Sequence, residues 1–439
     1  MKMTVIGCGY LGATHAACMA ELGHHVVGMD SDVDRVNALN AGRAPFFEQG
    51  LDDLLARHTA SGRLRFTASY REAAEFAALH FVGVGTPQLP GGDAYDLTQL
   101  FEAVRLLAVH LTSPAVVAVK STVPVGTAAR VAEILRDHAP AGDLVETAWN
   151  PEFLRESHAV EDTLRPDRLV LGFGTRHSLA ETLLRQAYEG IIRAGVPTIV
   201  TDWTTAELAK GAANSFLATK ISFINAMAEI CEKSGADVSA LAEILGHDVR
   251  IGHEGMHPGL GFGGGCLPKD LRGFVARAEE LDASAAAGIL REVSAVNDRR
   301  RQRVLDVASE ELGPDLRGKR ITVWGAAFKP GTDDIRDSPA LAVAAALHAL
   351  GAVVTVTDPK ALDNARKRHP ELDYAEDPVT AVLDCDLLLH LTEWEEFSGV
   401  APERLPVRTH SPRVVDARGT LDAGRWRGAG WLVRSLGRA

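Results

Sequence analysis

The chain has 439 residues, 46% hydrophobic and 24% charged, with a net charge of −12. That length allows two or three domains, and that much apolar content supplies cores without disulfide or metal staples. The acidic balance argues against general nucleic-acid binding, no run approaches the roughly 20 apolar residues of a membrane span, and five cysteines without a CxxC spacing argue against a disulfide framework. The apolar run that begins at Met1-Lys-Met-Thr-Val-Ile6 is too short for a signal peptide, so a reducing, cytoplasmic setting is expected.

The first region alternates short β runs with helical patterns. Thr4–Ile6, Val26–Met29, Leu79–Val84 and Val116–Lys120 read as buried strands, with helices such as Ala13–Glu21 and Thr98–Leu111 between them. This alternation predicts a parallel, doubly wound sheet, extended by Arg168–Phe173 and Thr198–Val200 to about residue 200. From Thr205 to Lys233 the chain has no proline and reads as one long helix, followed by Val238–Leu245 and Ala285–Glu311. Such a helical middle suits either a dimer interface or a cap on one domain. The β/α pattern restarts at Ile321–Trp324, with a helix over Leu341–Leu350 and strands at Val353–Thr357, Leu387–Leu391 and Arg413–Val415. The expected architecture is α/β: two Rossmann-like doubly wound domains, 1–200 and 312–439, joined by a long central helix and a helical middle domain, 201–311.

Gly7-Cys8-Gly9-Tyr10-Leu11-Gly12 follows a strand and opens a helix, the context a dinucleotide site requires. The first glycine permits the turn, the second lets a pyrophosphate approach, and the third lets helix and strand pack. Asp30 ends the next strand, where a carboxylate accepts from both ribose hydroxyls and repels a 2′-phosphate. NAD is therefore expected over NADP, with Arg35 as the residue that bears on the opposite choice.

Gly261-Phe-Gly-Gly-Gly-Cys266-Leu-Pro-Lys269-Asp270 places a cysteine beside a glycine run, a lysine and an aspartate. This reads as a thiolate nucleophile beside backbone N–H groups left open to a ligand. Cys8, Cys18, Cys231 and Cys385 read as small buried hydrophobes. Lys210 and Asn214 share one face of the long helix among apolar neighbours and need partners. Lys120-Ser-Thr122-Val-Pro-Val-Gly126 follows a strand end, where ligands gather in open α/β sheets, and Asn150-Pro-Glu152-Phe-Leu-Arg-Glu156 clusters acids and an amide. His253-Glu254-Gly255-Met256-His257 has HExxH spacing, but the surrounding glycines disfavour the helix that zinc chemistry needs. No metal is expected, and His247, His253 and His257 are expected to face solvent.

Together these motifs resemble the UDP-glucose 6-dehydrogenase family, within the UDP-glucose/GDP-mannose dehydrogenase superfamily. The likeness runs in order through Val84-Gly-Thr86-Pro87, Lys120–Thr127, Asn150–Glu156, Ala206–Asn214, Arg250-Ile-Gly252, Gly261–Asp270, Phe328–Pro339 and Asp416-Ala-Arg418. It implies a four-electron oxidation of a sugar C6 alcohol to a carboxylate with two NAD, through a thiohemiacetal and a thioester on Cys266. It implies that Lys210 and Asn214 stabilise developing oxygen charge, that Asp270 and Thr122 position a water, and that Glu152 is the hydrolytic base. The cofactor contacts it implies are Gly7, Gly9, Tyr10, Leu11, Gly12, Asp30, Arg35, Val84, Gly85, Thr86, Ser121, Thr122, Glu152, Lys269 and Arg336. The substrate contacts it implies are Glu152, Phe153, Leu154, Arg155, Lys210, Asn214, Gly259, Phe262, Gly263, Lys329 and Arg418, with Arg250 reaching across a homodimer.

The chain departs from the family pattern at Glu48-Gln49-Gly50-Leu51, usually Glu-Pro-Gly-Leu, and at Gly265, usually Ser. Gly265 and Lys269-Asp270 argue against the N-acetyl-mannosamine branch. UDP-glucose is the expected substrate, with GDP-mannose the alternative. A two-electron hydroxyacid-type dehydrogenase would need neither Cys266 nor a second nucleotide domain, and a redox-sensing regulator would need a further module that the sequence does not contain.

Overall fold

The computed structural model describes residues 1–405 and 412–438. It divides into two compact units. The first comprises Met1–Ala213 and Arg272–Leu281, the second Asn214–Leu271 and Asp282–Ala439.

The first unit is built on eight strands: β1 (Lys2–Ile6), β2 (His25–Met29), β3 (Leu64–Thr67), β4 (Leu79–Val82), β5 (Ala115–Val119), β6 (Val145–Trp149), β7 (Leu169–Phe173) and β8 (Thr198–Asp202). Their order is β3-β2-β1-β4-β5-β6-β7-β8. The first six follow the 3-2-1-4-5-6 order of dinucleotide-binding folds. Strands β1, β4 and β5 are apolar and buried along most of their length because helices cover both faces of a parallel sheet. One pairing departs from the all-parallel expectation: β7 runs antiparallel to β6. Between them the chain makes a loop and one short helix, Ala159–Leu164, instead of a full crossover, so it returns beside the strand it has just left.

The long helix is Trp203–Ser234, and its residues are divided between the two units after Ala213. The second unit adds the helices Val238–Gly246 and Gly288–Leu312 and six strands: β9 (Arg320–Trp324), β10 (Val353–Thr357), β11 (Asp373–Tyr374), β12 (Leu387–His390), β13 (Arg413–Asp416) and β14 (Leu432–Ser435). Their order, β11-β10-β9-β12-β13-β14, repeats the same pattern with every pairing parallel. The sequence showed only a weak echo because this turn carries one glycine. Gly325 takes a left-handed φ of 121°, and a side chain there would strike Thr392. Ala326 and Ala327 then fit where the first unit has Cys8 and Gly9, since their N–H groups donate to Asp358 at 2.8 and 2.9 Å. No helix among the described residues is long and apolar enough to cross a membrane.

Candidate active site

The turn at Gly7–Gly12 has the form its sequence demands. Gly7 has φ 87°, and a Cβ on Gly12 would lie 1.7 Å from the Gly7 carbonyl oxygen, so neither position tolerates a side chain. A Cβ on Gly9 would meet nothing within 4 Å, which leaves open space at the N-terminus of the helix Tyr10–Glu21. That space, with its N–H groups and positive dipole end, suits a diphosphate. Asp30 directly follows β2, buried at 6% exposure, and accepts from the Cys8 N–H at 2.7 Å. Burial, reinforced by the Asp30 carboxylate, pushes the Cys8 thiol far above its ordinary value, so Cys8 is inert. Arg35 lies 3.1 Å from both Asp30 oxygens and 3.5 Å from Asp32. A 2′-phosphate would have to compete with two carboxylates for it. These residues fit NAD. Beside the turn, Ser121 donates to the Val84 carbonyl and Thr86 to that of Thr122, both at 2.7 Å, which ties the ends of β4 and β5 together. Gly85 is exposed in this segment, and the Tyr10 ring packs tilted against Phe46, with centroids 4.1 Å apart.

Three charged side chains gather in the first unit at the ends of β5 and β6. Glu152 and Lys210 form an ion pair at 3.1 Å, with side-chain exposures of 12% and 5%. The second Glu152 oxygen accepts from the Leu154 N–H at 2.9 Å, which fixes the carboxylate. Lys120 is the third. Its ammonium donates to the Asn150 side chain at 2.9 Å, to the Asn150 carbonyl at 3.3 Å and to Tyr188 at 3.4 Å. Burial brings its pKa down to about 8, with Glu152 opposing and Lys210 adding to the fall. Phe153 is covered by Arg168 at 3.9 Å, and together with Leu11, Leu154 and Lys120 it lines a recess open to solvent. Arg155 is turned to Asp162 at 2.8 Å and is largely exposed.

This loop is held by residues far from it in sequence. Glu48 is buried and accepts from the N–H groups of Ser157 and Ala159, both at 2.9 Å. Glu207 likewise caps Gly126 and Ala128, at 2.7 and 2.5 Å, and fixes the segment that begins at Lys120. A charged residue directly after the apolar run Ala115–Val119 was the one available signal for Lys120. Nothing local announces the partners of Glu48 or Glu207.

In the second unit Cys266 is exposed, whereas the other four cysteines are buried. Its carbonyl accepts the Asp270 N–H at 2.8 Å, so it caps the helix Leu267–Glu280 and lies at the positive end of the helix dipole. Asp270 is 1% exposed and is held from two sides, by Asn214 Nδ2 and by Lys269 Nζ, each at 2.7 Å.

The glycine run has a different cause from the one its sequence suggested. A Cβ on Gly261, Gly263, Gly264 or Gly265 would meet Asn297, the Asp337 carbonyl, the Phe328 ring or the Arg336 guanidinium at 2.2–2.7 Å. The glycines are required by packing within the unit. Two of the expected open N–H groups are engaged: Phe262 donates to Asn297 at 2.8 Å and Gly264 to the Arg336 carbonyl at 2.9 Å. Gly265, where the family usually has serine, leaves room for Arg336, which forks onto Asp334 at 2.6–2.9 Å. Gly259 donates to Asn225 and abuts the Ala417 carbonyl. Arg418 donates to the carbonyls of Leu391 (2.7 Å) and Gly261 (3.2 Å), so it braces the same loop. Lys329 lies 5.8 Å over Phe328. Arg250 stands apart, 85% exposed and paired with Asp248. The segment from His253 to His257 is not helical, so its HExxH spacing does not place both histidines on one helix face.

Three models of the UDP-glucose/GDP-mannose dehydrogenase family match the chain: the NAD-binding domain over 1–192, the central domain over 204–299 and the UDP-binding domain over 322–423. A UDP-glucose 6-dehydrogenase of Rhizobium meliloti is 42% identical, with full coverage of both chains. One of Bacillus subtilis is 37% identical over all of this chain and 98% of its own. Among solved structures, a UDP-glucose dehydrogenase from Pyrobaculum islandicum superposes with a TM-score of 0.91 at 36% identity, covering 100% of this chain and 98% of that one. The exposed thiol, the buried acid–base pair and the NAD turn are thus carried by a member of the UDP-glucose/GDP-mannose dehydrogenase family, an NAD-dependent oxidoreductase.

Proposed function

We propose that this chain oxidises the C6 hydroxyl of UDP-glucose to the carboxylate of UDP-glucuronate. The exposure of Cys266 at the head of a helix, beside the Asn214–Asp270–Lys269 chain, carries this reading. The relatives' UDP-glucose activity supplies the sugar. Bound NAD supplies the two-electron acceptor for each of the two oxidations. Between them the Cys266 thiolate adds to the C6 aldehyde. A C–S bond forms, and the carbonyl electron pair moves to oxygen, where Lys210 and Asn214 stabilise it. The resulting thiohemiacetal is held covalently, so the half-oxidised sugar cannot leave. After the second oxidation Glu152 takes a proton from water, the water oxygen bonds to C6, the C–S bond breaks and the thiolate departs. Thr122 and Asp270 position that water.

In this reading residues 1–200 hold NAD and 312–439 hold the nucleotide, with Lys329 and Arg418 as its cationic contacts. Residues 201–311 form a homodimer interface. Phe216, Phe223 and Ile230 recur every seven residues on the long helix at 68, 48 and 58% exposure, an apolar stripe that favours a second copy. Arg250, exposed on the same unit, reaches the partner's substrate. The cytoplasm, a reducing compartment, suits five cysteines without a disulfide. The test is stoichiometry across UDP- and GDP-sugars. Two NADH per UDP-glucose, abolished in Cys266→Ala with NAD binding retained, is expected. One NADH per sugar, or uronate formation by Cys266→Ala, would overturn the covalent route, and turnover of GDP-mannose alone would overturn the sugar.

A further inference from the structure

The geometry points to a divalent transition-metal site formed by Glu243, His247 and His253 on the surface of the second unit. None of the three takes part in the chemistry above. Glu243 and His247 are one turn apart, on the helix Val238–Gly246 and the residue that ends it, so their side chains share a face. His253 comes back to that face from the following loop. His247 Nε2 lies 3.0 Å from one Glu243 oxygen, and His253 Nδ1 lies 3.6 Å from the other. One ligand atom from each residue falls within 4.8 Å of the other two. Bonds of about 2.0–2.1 Å to a tetrahedral ion place its ligand atoms roughly 3.3 Å apart, so small rotamer adjustments bring all three onto one ion.

The local structure holds this arrangement without an ion. The N–H groups of Ile251 and Gly252 both donate to the Asp248 carbonyl, at 2.8 and 2.9 Å. Lys220 donates to the Ile251 carbonyl at 2.9 Å, and Met256 closes the turn onto the His253 carbonyl. Gly246 is part of the same construction: a Cβ there would lie 2.1 Å from His253 Nδ1, so only glycine leaves the ring its place. Two imidazoles and one carboxylate suit Zn²⁺, Ni²⁺ or Cu²⁺ and not Mg²⁺ or Ca²⁺, which take oxygen donors. The fourth position faces solvent. Because His247 and His253 flank Arg250, a bound ion closes the loop that carries it.

The test is calorimetric titration of the full chain with Zn²⁺ after chelator treatment, in a Cys266→Ser background that removes the exposed thiol. One Zn²⁺ per chain is expected. His247→Ala and His253→Ala should each weaken binding by more than the roughly 10-fold that loss of even an outer-shell partner costs. Glu243→Gln, which keeps both imidazoles, should weaken it as well. Absence of Zn²⁺ uptake by the parent, or uptake unchanged in both histidine variants, would overturn the assignment.

Discussion

Removing both members of the Glu152–Lys210 pair should destabilise the first unit by less than the sum of the two single losses. The two groups are 3.1 Å apart and almost wholly buried, and Lys120 adds a second cation nearby. At an effective dielectric of about 20 the pair attracts by roughly 5 kcal/mol. Taking one partner away leaves an uncompensated buried charge, which costs about 3–5 kcal/mol. Glu152→Gln or Lys210→Met alone should therefore raise amide exchange in Ala115–Val119 and Val145–Trp149, the strands that lead into Lys120 and Glu152, by on the order of 100-fold or more. The double variant Glu152→Gln/Lys210→Met should recover on the order of 3 kcal/mol of the summed loss, because neither member of the pair is left charged without the other and Lys120 keeps its Asn150 and Tyr188 partners. Hydrogen exchange read by mass spectrometry isolates these strands from the other unit. If the two single losses add to within about 0.5 kcal/mol in the double variant, the groups are not coupled and the pair does not organise the site.

Lys120 makes a prediction in pH. Its pKa is about 8 in the folded chain against an ordinary 10.5, so between those values the unfolded chain binds more protons and stability rises with pH. Relative to Lys120→Met, the parent should gain about 3 kcal/mol across that window, and a flat difference in urea unfolding would contradict the burial of the charge. Asp358 accepts five N–H groups, from Ala326, Ala327, Lys360, Ala361 and Trp394. Asp358→Ala should therefore cost the second unit at least about 4 kcal/mol, whereas Asp30→Ala should chiefly lower NAD affinity. Thermal melts and NAD titrations of the two variants separate these effects. Phe223→Asp and Ile230→Asp should convert the chain to monomers by sedimentation, and an unchanged dimer would place the interface elsewhere.

The features legible in the sequence are those whose cause is local. The Gly7–Gly12 turn is dictated by its own backbone, because a Cβ at Gly12 collides with a residue five positions away. The long helix follows from an unbroken run without proline, and the buried strands β1, β4 and β5 from short apolar stretches. The short strands β3, β11 and β14 gave little signal, since two to four residues with a partly exposed face carry no clear period. Tertiary structure alone decided what depends on distant partners. The β6–β7 pairing runs antiparallel because of where the intervening loop returns. The run Gly261–Gly265 is glycine because Asn297, Asp337, Phe328 and Arg336 fill the space beside it, a requirement invisible in the run itself. Lys120 draws its perturbed proton affinity from burial beside residues 30 and 68 positions away. Sequence fixes what each residue can donate, accept or bury, and packing decides which of those capacities meets a partner.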